Sequence, residues 1–380
     1  MSATPAQSRV KIAIVGFSGL IGKRHTKHVL ENQSVDLVAL VDPSPVAPAL
    51  KTALGVPDAV PLLVNVTELL QSITVSRPDC ALVCTPHQTH AHIATELVEA
   101  GIHVFVEKPV TDEVQPGRDL VAQAKAKGVH LLVGHHRRFN PYIAATKKAL
   151  DGGVVGDVLA VSGLWTAFKP DPYFNADPAL AWRKFRSRGG GVVLNNFVHE
   201  ADCMQHLFGR IVRVHAEEIT PQRCAPDEPD RVEEGVALTL RFESGAVGTY
   251  ILSDAVVSPH NFEMGTGENP HIPRVRVAGS NRDEIDVYRI FGTKGTLSVP
   301  DMTLSSYAGD RSWNEELQRQ KLTIDSDPRV PLERQLDHFV RVVRGEEVPN
   351  CDGKAGLEAL QVCRAILESL ETSSTIDIAE

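Results

Sequence analysis

The chain has 380 residues, 42% of them hydrophobic, and carries a formal net charge of −9. This length exceeds one average domain and the apolar content can fill two cores, so we expect two domains. The acidic balance, with no long block of like charge, argues against a nucleic-acid-binding surface and favours a small-molecule partner.

The cysteines and the amino terminus indicate the compartment. Six cysteines form no CxxC pair and no regular spacing, which favours free thiols in a reducing environment. The run MSATPAQSR lacks an apolar signal core, and no stretch reaches the roughly 18 apolar residues of a membrane span. The sequence therefore predicts a soluble cytoplasmic protein that does not bind a membrane.

Short apolar runs alternate with helix-like segments in the first hundred residues. VKIAIVGF, VDLVALVD, CALVCTP and HVFVEKP are continuous and apolar, as strands buried on both faces are. Between two of them, Ile93, Leu97 and Val98 share a helical face, and Gly101 is placed to end that helix. Repeated βα units of this kind predict a doubly wound parallel sheet.

The turn after the first strand is rich in glycine, with Gly16, Gly19 and Gly22 in a GxxGxxG spacing. Glycines here permit a tight turn and let backbone N–H groups approach a pyrophosphate at a helix N-terminus. Asp42 closes the second strand, where a carboxylate binds adenosine ribose hydroxyls. This order predicts a Rossmann dinucleotide-binding domain that prefers NAD, although Ser44 nearby leaves NADP open.

The fourth apolar run ends in Glu107, Lys108 and Pro109, which no core requires. Ligands bind where strands end in open α/β sheets, so a lysine there can serve chemistry. The alternative is a solvated loop after a buried strand. On these three residues alone the two interpretations are evenly balanced.

The second half of the chain has a different pattern. VLAVSGLW, VEEGVALTLRFESGAVGTYILSD and DEIDVYRIFGTKGTLSVP alternate polar and apolar residues, which predicts an open, mostly antiparallel sheet. PLERQLDHFVRVVRGEE and LEALQVCRAILESL carry apolar stripes of packing helices. We expect a Rossmann domain over residues 1–140 and an α+β substrate-binding and oligomerisation domain over 141–380.

Several motifs together resemble one known family. CTPHQTHAHIATELVEAGIHVFVEKPV is similar to the signature of the Gfo/Idh/MocA family, named for glucose-fructose oxidoreductase, inositol dehydrogenase and rhizopine catabolism. The likeness continues in GHHRRFNP, GGGVVLNNFVHEADCMQHLFG and FGTKGTL, and covers nearly the whole chain. The resemblance implies an NAD(P)-dependent oxidoreductase acting on CH–OH donors, commonly a homodimer or homotetramer formed through the second sheet.

The resemblance also implies roles for individual residues. Lys108 would lie beside the nicotinamide and the substrate hydroxyl, oriented by Glu107, and the peptide before Pro109 would be cis. His199 would be the acid/base residue, although a lone helical histidine is more often structural. Many relatives have aspartate where this chain has Asn195, and others have an asparagine that matches Asn196. Helical spacing allows Asn195 or Asn196 to share a face with His199.

Two sets of binding residues are predicted, with the substrate expected in a cleft between the domains. The cofactor set is Gly16, Ser18, Gly19, Leu20, Ile21, Gly22, Asp42, Thr85, Pro86, His87, His90, Glu107 and Lys108. The substrate set is Lys108, His136, Arg138, Tyr173, Trp182, Arg183, Asn195, Asn196 and His199.

The predicted substrate is a sugar, cyclitol or related cyclic polyol, since Tyr173 and Trp182 suit such a ring. The basic run that begins at Arg183 would instead hold a carboxylated cyclic diol, or would be solvated only. An NAD-dependent glycosidase of the same fold and a non-catalytic, cofactor-sensing regulator remain as alternatives. Histidines crowd one loop, at His87, His90 and His92, but without an HxxxH or HExxH helix we expect no metal.

Overall fold

The computed structural model describes residues 8–176, 178–225, 228–269, 272, 285–325 and 327–379. The chain forms two compact units. The first comprises Met1–His136 and Pro331–Leu360, and the second comprises Arg137–Val330 and Gln361–Glu380. The division expected at residue 140 assigns 331–360 to the second domain, whereas the structure packs this segment in the first unit.

The secondary structure elements are numbered in chain order. The strands are β1 (Val10–Val15), β2 (Val35–Val41), β3 (Leu62–Leu63), β4 (Cys80–Val83), β5 (His103–Val106), β6 (Leu131–Val133), β7 (Val158–Thr166), β8 (Ile211–Glu218), β9 (Gly235–Phe242), β10 (Val247–Ser253), β11 (Tyr288–Gly292), β12 (Gly295–Val299), β13 (Thr303–Tyr307), β14 (Leu317–Lys321) and β15 (Ile376–Asp377). The α-helices are α1 (Leu20–Glu31), α2 (Ala47–Ala53), α3 (Val66–Gln71), α4 (His90–Glu99), α5 (Val114–Lys127), α6 (Pro141–Asp151), α7 (Pro172–Asn175), α8 (Val198–Phe208), α9 (Phe262–Thr266), α10 (Pro331–Val343) and α11 (Gly353–Thr372).

The first unit contains a six-stranded parallel sheet in the order β3-β2-β1-β4-β5-β6. All four residues of β4 are buried, as are the last three of β5, which explains why these runs are continuously apolar. Because the strands are parallel, the loops after β1, β4 and β5 leave the same edge of the sheet. The strand order reverses at β1, which is where such sheets bind ligands. The predicted doubly wound sheet is confirmed.

Helix α10 belongs to the core of the first unit. Its predicted apolar stripe is buried, and Leu336, Phe339 and Val340 pack in one cluster with strand residues such as Ile12. The rings of Phe105 and Phe339 meet edge to face, with 5.6 Å between centroids. This burial accounts for the placement of 331–360, since the stripe has to be covered by an apolar surface.

The second unit contains a nine-stranded sheet in the order β14-β13-β12-β11-β7-β10-β9-β8-β15. Every pairing is antiparallel except that of β7 with β10, so the expected open, mostly antiparallel sheet is also confirmed. Strand β9 buries alternate residues, as its pattern predicts. The first residues of the expected strand DEIDVYRI lie outside the described residues, and β11 begins at Tyr288.

Candidate active site

The glycine turn after β1 is shaped by contacts that leave no room for a side chain at Gly16 or Gly22. Gly16 has a φ of 83°, and a Cβ there would lie 2.7 Å from the Thr85 methyl group. A Cβ on Gly22 would overlap the carbonyl oxygen of Gly16, so this glycine lets α1 pack closely on the turn. Gly19 is the N-cap residue of α1 and has no side chain that could cap the first turn. This cradle fits a dinucleotide pyrophosphate.

Asp42 connects the end of β2 to the glycine turn. Its carboxylate is 6% exposed and accepts hydrogen bonds from the backbone N–H groups of Ser18 at 2.8 Å and Ser44 at 2.9 Å. Carboxylate oxygens have about four acceptor positions, so two are left for ribose hydroxyls. Leu20, at the start of α1, is 70% exposed beside this turn, and Ile21 is half-buried against the core.

The loop after β4 carries Thr85, Pro86 and His87, of which Pro86 is exposed and the other two are half-buried. His90 follows but is almost fully buried. Its Nδ1 lies 2.8 Å from the carbonyl oxygen of Pro109, and its Nε2 lies 2.8 Å from that of Thr85. Burial lowers the pKa of His90. The imidazole joins the loops after β4 and β5, whereas the sequence had suggested a direct cofactor contact.

Glu107 is the buried carboxylate at the end of β5. Its Oε1 lies 2.7 Å from Nε2 of His25, and its Oε2 accepts a 3.2 Å hydrogen bond from the backbone N–H of Lys108. Burial opposes ionisation, but the His25 hydrogen bond and the charges of His25, His136 and Lys108 leave the pKa of Glu107 below its ordinary value. Sequence reasoning missed His25, whose only signal was its position in the first helix.

Lys108 is half-buried, and its peptide to Pro109 is cis, as the family resemblance implied. Because β1 and β5 are parallel strands of one sheet, Lys108 and the glycine turn lie at the same edge. His136, half-buried in the turn after β6, is close enough to influence Glu107. The first unit thus brings the predicted cofactor cradle and the predicted catalytic lysine together.

In the second unit, the two predicted amides lie in a π-helical turn, Val193–Phe197, immediately before α8. Asn195 donates to the carbonyl of Gly191 at 2.8 Å, and Asn196 accepts from Nζ of Lys169 at 2.8 Å. His199 is 7% exposed in the first turn of α8. The π turn replaces the regular α-helical spacing expected here, since its hydrogen bonds join residues i and i+5.

A compact group of polar and aromatic side chains surrounds Tyr173. The Arg183 guanidinium lies 4.0 Å from the Tyr173 ring centroid and 5.9 Å from that of Trp182. Nζ of Lys169 lies 4.6 Å from the Tyr173 ring and 3.2 Å from the Asp254 carboxylate. Lys169, Tyr173, Arg183 and Asn195 line one pocket, so several predicted substrate residues converge within this unit.

The two arginines of the HHRRFNP motif are structural. Arg138 is 8% exposed and holds the carboxylate of Asp202 with contacts of 3.0 and 2.6 Å, which differs from the substrate contact expected for it. Arg137, which sequence reasoning passed over, is fully buried between Glu200 and Glu268, with Glu263 also in contact. Burial opposes its charge, but the three carboxylates hold the pKa of Arg137 well above its usual range.

The buried carboxylate of Glu233 is hydrogen-bonded to the start of the π turn. Its carboxylate accepts a 2.9 Å hydrogen bond from the backbone N–H of Val193, and a Cβ on Gly191 would overlap it. Burial raises the pKa of Glu233 to about 7, against the effect of its backbone hydrogen bonds. Sequence reasoning missed this residue, because a single glutamate in a strand-like run carries no signal of its partner.

The described residues bring one metal-compatible group together, which is not in the histidine-rich loop. His28, Glu31 and Glu333 place ligand atoms within 4.8 Å of one another. They join α1 to α10 near the surface, with 3.7 Å between His28 Nδ1 and a Glu333 oxygen. An ordinary surface ion pair makes the same contacts, so this arrangement does not by itself indicate a metal site.

Comparison with known proteins defines the class. Residues 10–135 match the model of the GFO_IDH_MocA "Oxidoreductase family, NAD-binding Rossmann fold", and residues 147–378 match its "C-terminal alpha/beta domain". The chain belongs to this family and is an NAD-dependent oxidoreductase. The resemblance inferred from the sequence is confirmed, as is NAD as the cofactor.

Individual relatives are similar over the full length. Inositol 2-dehydrogenase of Rhizobium meliloti (strain 1021) is 25% identical over 378 residues, which are 97% of this chain and 99% of the relative. The WlbA dehydrogenase of Bordetella pertussis, in complex with NADH and UDP-GlcNAcA, has a TM-score of 0.74 at 23% identity, covering 98% of this chain and 99% of the other. A levoglucosan dehydrogenase in complex with NADH and levoglucosan has a TM-score of 0.73 at 20% identity, covering 98% and 100%. At these identities the two structures show a common fold.

Within the described residues, no helix combines the length and apolar character needed to cross a membrane.

The raised pKa of Glu233 predicts a pH-dependent stability. The protonated form contributes stability at low pH that is lost as pH rises from the ordinary value near 4.5 to about 7, on the order of 3 kcal/mol in all. Glu233→Gln keeps an acceptor for Val193 and cannot ionise, so it should be more stable than the unmutated protein at pH 8 but not at pH 4.5. Urea unfolding at several pH values measures this.

Glu217→Gln is the matched control, because the Glu217 side chain is 76% exposed on β8. It should leave the pH dependence of the unfolding free energy unchanged. Equal behaviour of the Glu217 and Glu233 variants would show that Glu233 ionises normally.

Proposed function

We propose that the protein transfers hydride between NAD and a secondary hydroxyl or ketone carbon of a sugar, cyclitol or related cyclic polyol. The observation that carries the proposal is the buried His90, which ties the Lys108–Pro109 loop to Thr85 of the cofactor cradle. A cationic donor held at the edge where NAD binds is suited to a substrate oxygen.

The names of the relatives support this substrate class. Besides inositol 2-dehydrogenase and levoglucosan dehydrogenase, a 1,5-anhydro-D-fructose reductase of Ensifer adhaerens is 24% identical over 315 residues. Each of these named substrates is a ring that bears several hydroxyls. The aromatic and amide groups of Tyr173, Trp182 and Asn195 offer stacking and hydrogen bonds to such a ring.

In the proposed mechanism, bound NAD supplies the hydride acceptor. The Lys108 ammonium donates a hydrogen bond to the reacting substrate oxygen and fixes the carbon in position. The neutral imidazole of His199 takes the hydroxyl proton as the carbonyl forms. Asn195 and Asn196 are proposed to orient other hydroxyls, with Asn196 held by Lys169.

A carboxylated cyclic substrate is the second candidate. Arg183 donates to the carbonyl oxygen of Tyr173 at 2.7 Å and stacks on its ring. Among the described residues no carboxylate pairs with this guanidinium, whereas Arg186 pairs with Glu371. A guanidinium fixed in this way suits a substrate carboxylate.

A substrate panel tests the proposed function. Neutral cyclic polyols, aldoses and carboxylated cyclic diols are each incubated with the protein and NAD, and NADH formation is followed by absorbance. We expect net reduction of NAD with at least one ring polyol. Bond cleavage without net NAD reduction would indicate a glycosidase that regenerates its cofactor, and binding of NAD without any turnover would indicate a sensor.

The position of Asp42 predicts preference for NAD over NADP. Its carboxylate should bind the ribose hydroxyls and repel a 2′-phosphate, so Asp42→Ala should narrow the gap in affinity. Calorimetry with both cofactors measures this. Tighter binding of NADP by the unmutated protein would overturn the prediction.

Lys108→Met keeps much of the stem volume and removes the charged donor. The catalytic rate should fall by about 10²-fold or more, while NAD affinity changes little. Steady-state kinetics with cofactor titration separates the two effects. Lys125→Met, on the exposed end of α5, is the control and should be fully active. Normal turnover by Lys108→Met would show that Lys108 does not have the proposed catalytic role.

His199→Ala tests the proposed base. If the imidazole takes the proton, the oxidation rate should rise with pH as the imidazole becomes neutral, and the variant should lose this limb and about 10²-fold in rate. Asn195→Ala and Asn196→Ala should weaken substrate binding without changing the pH profile. A limb that persists in active His199→Ala enzyme would assign the proton to another group, with His136 or Tyr173 next to test.

We also propose a homodimer or homotetramer formed through the outer face of the second sheet. This face exposes Leu159, Val247, Ile251 and Phe291, each at least 40% accessible. Val247 and Phe291 flank the same residue of β7, Ala160, so their side chains form a continuous patch. Ile251→Lys should shift the sedimentation coefficient toward a monomer, and an unmutated monomer would contradict the proposal.

A further inference from the structure

The first unit has a cavity at the edge of its sheet opposite the cofactor cradle. It lies where β1, β4 and β5 begin, whereas the glycine turn and Lys108 follow strand ends. Strand β1 alone has six residues, which at about 3.3 Å each separates the two edges by about 20 Å. A ligand in this cavity is therefore not in contact with the proposed nicotinamide site.

The cavity is strongly cationic. Its lining contains Arg9, Lys11, Arg77 and Arg344 and one carboxylate, that of Asp79, so its formal charge is +3. The chain as a whole carries −9, and this concentration of cations runs against its overall balance. Like charges held close together repel unless an anion joins them, which gives such a cavity affinity for anions.

Backbone contacts fix several of these cations in place. Arg77 donates to the carbonyl of Ala100, and Arg344 donates to that of Ser8 at 3.0 Å. A carbonyl acceptor orients a guanidinium without neutralising it, and each guanidinium has five N–H donors. Arg9 also pairs with Asp36 at 2.8 Å. The Asp79 carboxylate accepts from the backbone N–H of Lys11 at 2.8 Å, so this contact leaves the Lys11 ammonium unused.

A histidine adds a neutral donor to the lining. Nδ1 of His103 accepts a 2.9 Å hydrogen bond from the backbone N–H of His130, which leaves the proton of the neutral ring on Nε2. The two imidazole rings stack with 4.9 Å between centroids. Burial lowers the pKa of His103, so it contributes an N–H group rather than a charge.

We propose that this cavity binds a compact polyanion that carries several phosphate or carboxylate charges. Its volume of about 620 Å³ is in the range of small-molecule sites. Forked guanidinium donors match the oxygens of both groups. A long nucleic acid is disfavoured, because the site is concave and the chain as a whole is acidic.

The test is calorimetric titration of the full chain saturated with NAD, so that the pyrophosphate cradle is already filled. Sodium tripolyphosphate and citrate are titrated in separate arms, and the stronger of the two identifies the preferred group. We expect saturable binding in at least one arm that weakens with added salt. The double variant Lys11→Glu/Arg77→Glu should lower the affinity about tenfold or more.

Lys125→Glu/Lys127→Glu makes the same change in charge on the exposed last turn of α5 and is the matched control. Its polyanion affinity should stay within about twofold of the unmutated value. The NAD affinity of each variant verifies that it is folded. If Lys11→Glu/Arg77→Glu does not bind NAD normally, the milder variant Lys11→Gln replaces it, and we expect that variant to weaken polyanion binding about threefold. The proposal is overturned by the absence of saturable binding in both arms, by equal losses in the two double variants, or by binding of duplex DNA but neither small anion.

Discussion

The buried carboxylate of Glu107 is the constraint on which the candidate active site depends. It lies at the end of β5, held by His25 on one side and by the Lys108 backbone on the other. Position 134 requires glycine, because a Cβ at Gly134 would come within 2.8 Å of the Glu107 carboxylate. Three segments that are distant in sequence therefore converge on one charge, and an unpaired charge here would be costly to bury. This explains why an acid precedes the lysine.

The two units contribute different kinds of order. In the first, parallel strands bring the loops after β1, β4 and β5 to one edge, and His90 and Glu107 then fix those loops to one another. In the second, a π turn over Glu233 sets the amides ahead of α8. Irregular helices are common where function requires a particular side-chain direction. The proposed acid/base residue follows that turn directly.

The parts of the structure that sequence could predict are those with local signals. Continuous apolar runs specify strands buried on both faces, and the glycine spacing predicts the turn that Gly16 and Gly22 form. Strand β14 carried no such signal, because all five of its residues are exposed and four are polar. The return of α10 to the first unit depends on long-range packing of Phe339 against Phe105, which a stripe alone does not specify.

For the candidate active site too, the sequence predicted residues with local signals but not their long-range partners. The sequence indicated Lys108, His199 and the amides, but not that Arg138 is bound by Asp202 or that His90 has both ring nitrogens against carbonyls. Nor did it identify His25 or Glu233, since each acts through a partner far along the chain. Residue type and spacing suggest candidates, and only the fold determines which polar groups are already satisfied.

The central claim is direct hydride transfer between substrate carbon and NAD. The measurement that tests it most directly uses a ring polyol from the active set, deuterated at its hydroxyl-bearing carbons, with mass spectrometry of the NADH formed in ordinary water. The account predicts one deuterium on the nicotinamide ring and a slower rate than with the unlabelled polyol. NADH without deuterium, with the label released to water, would contradict it.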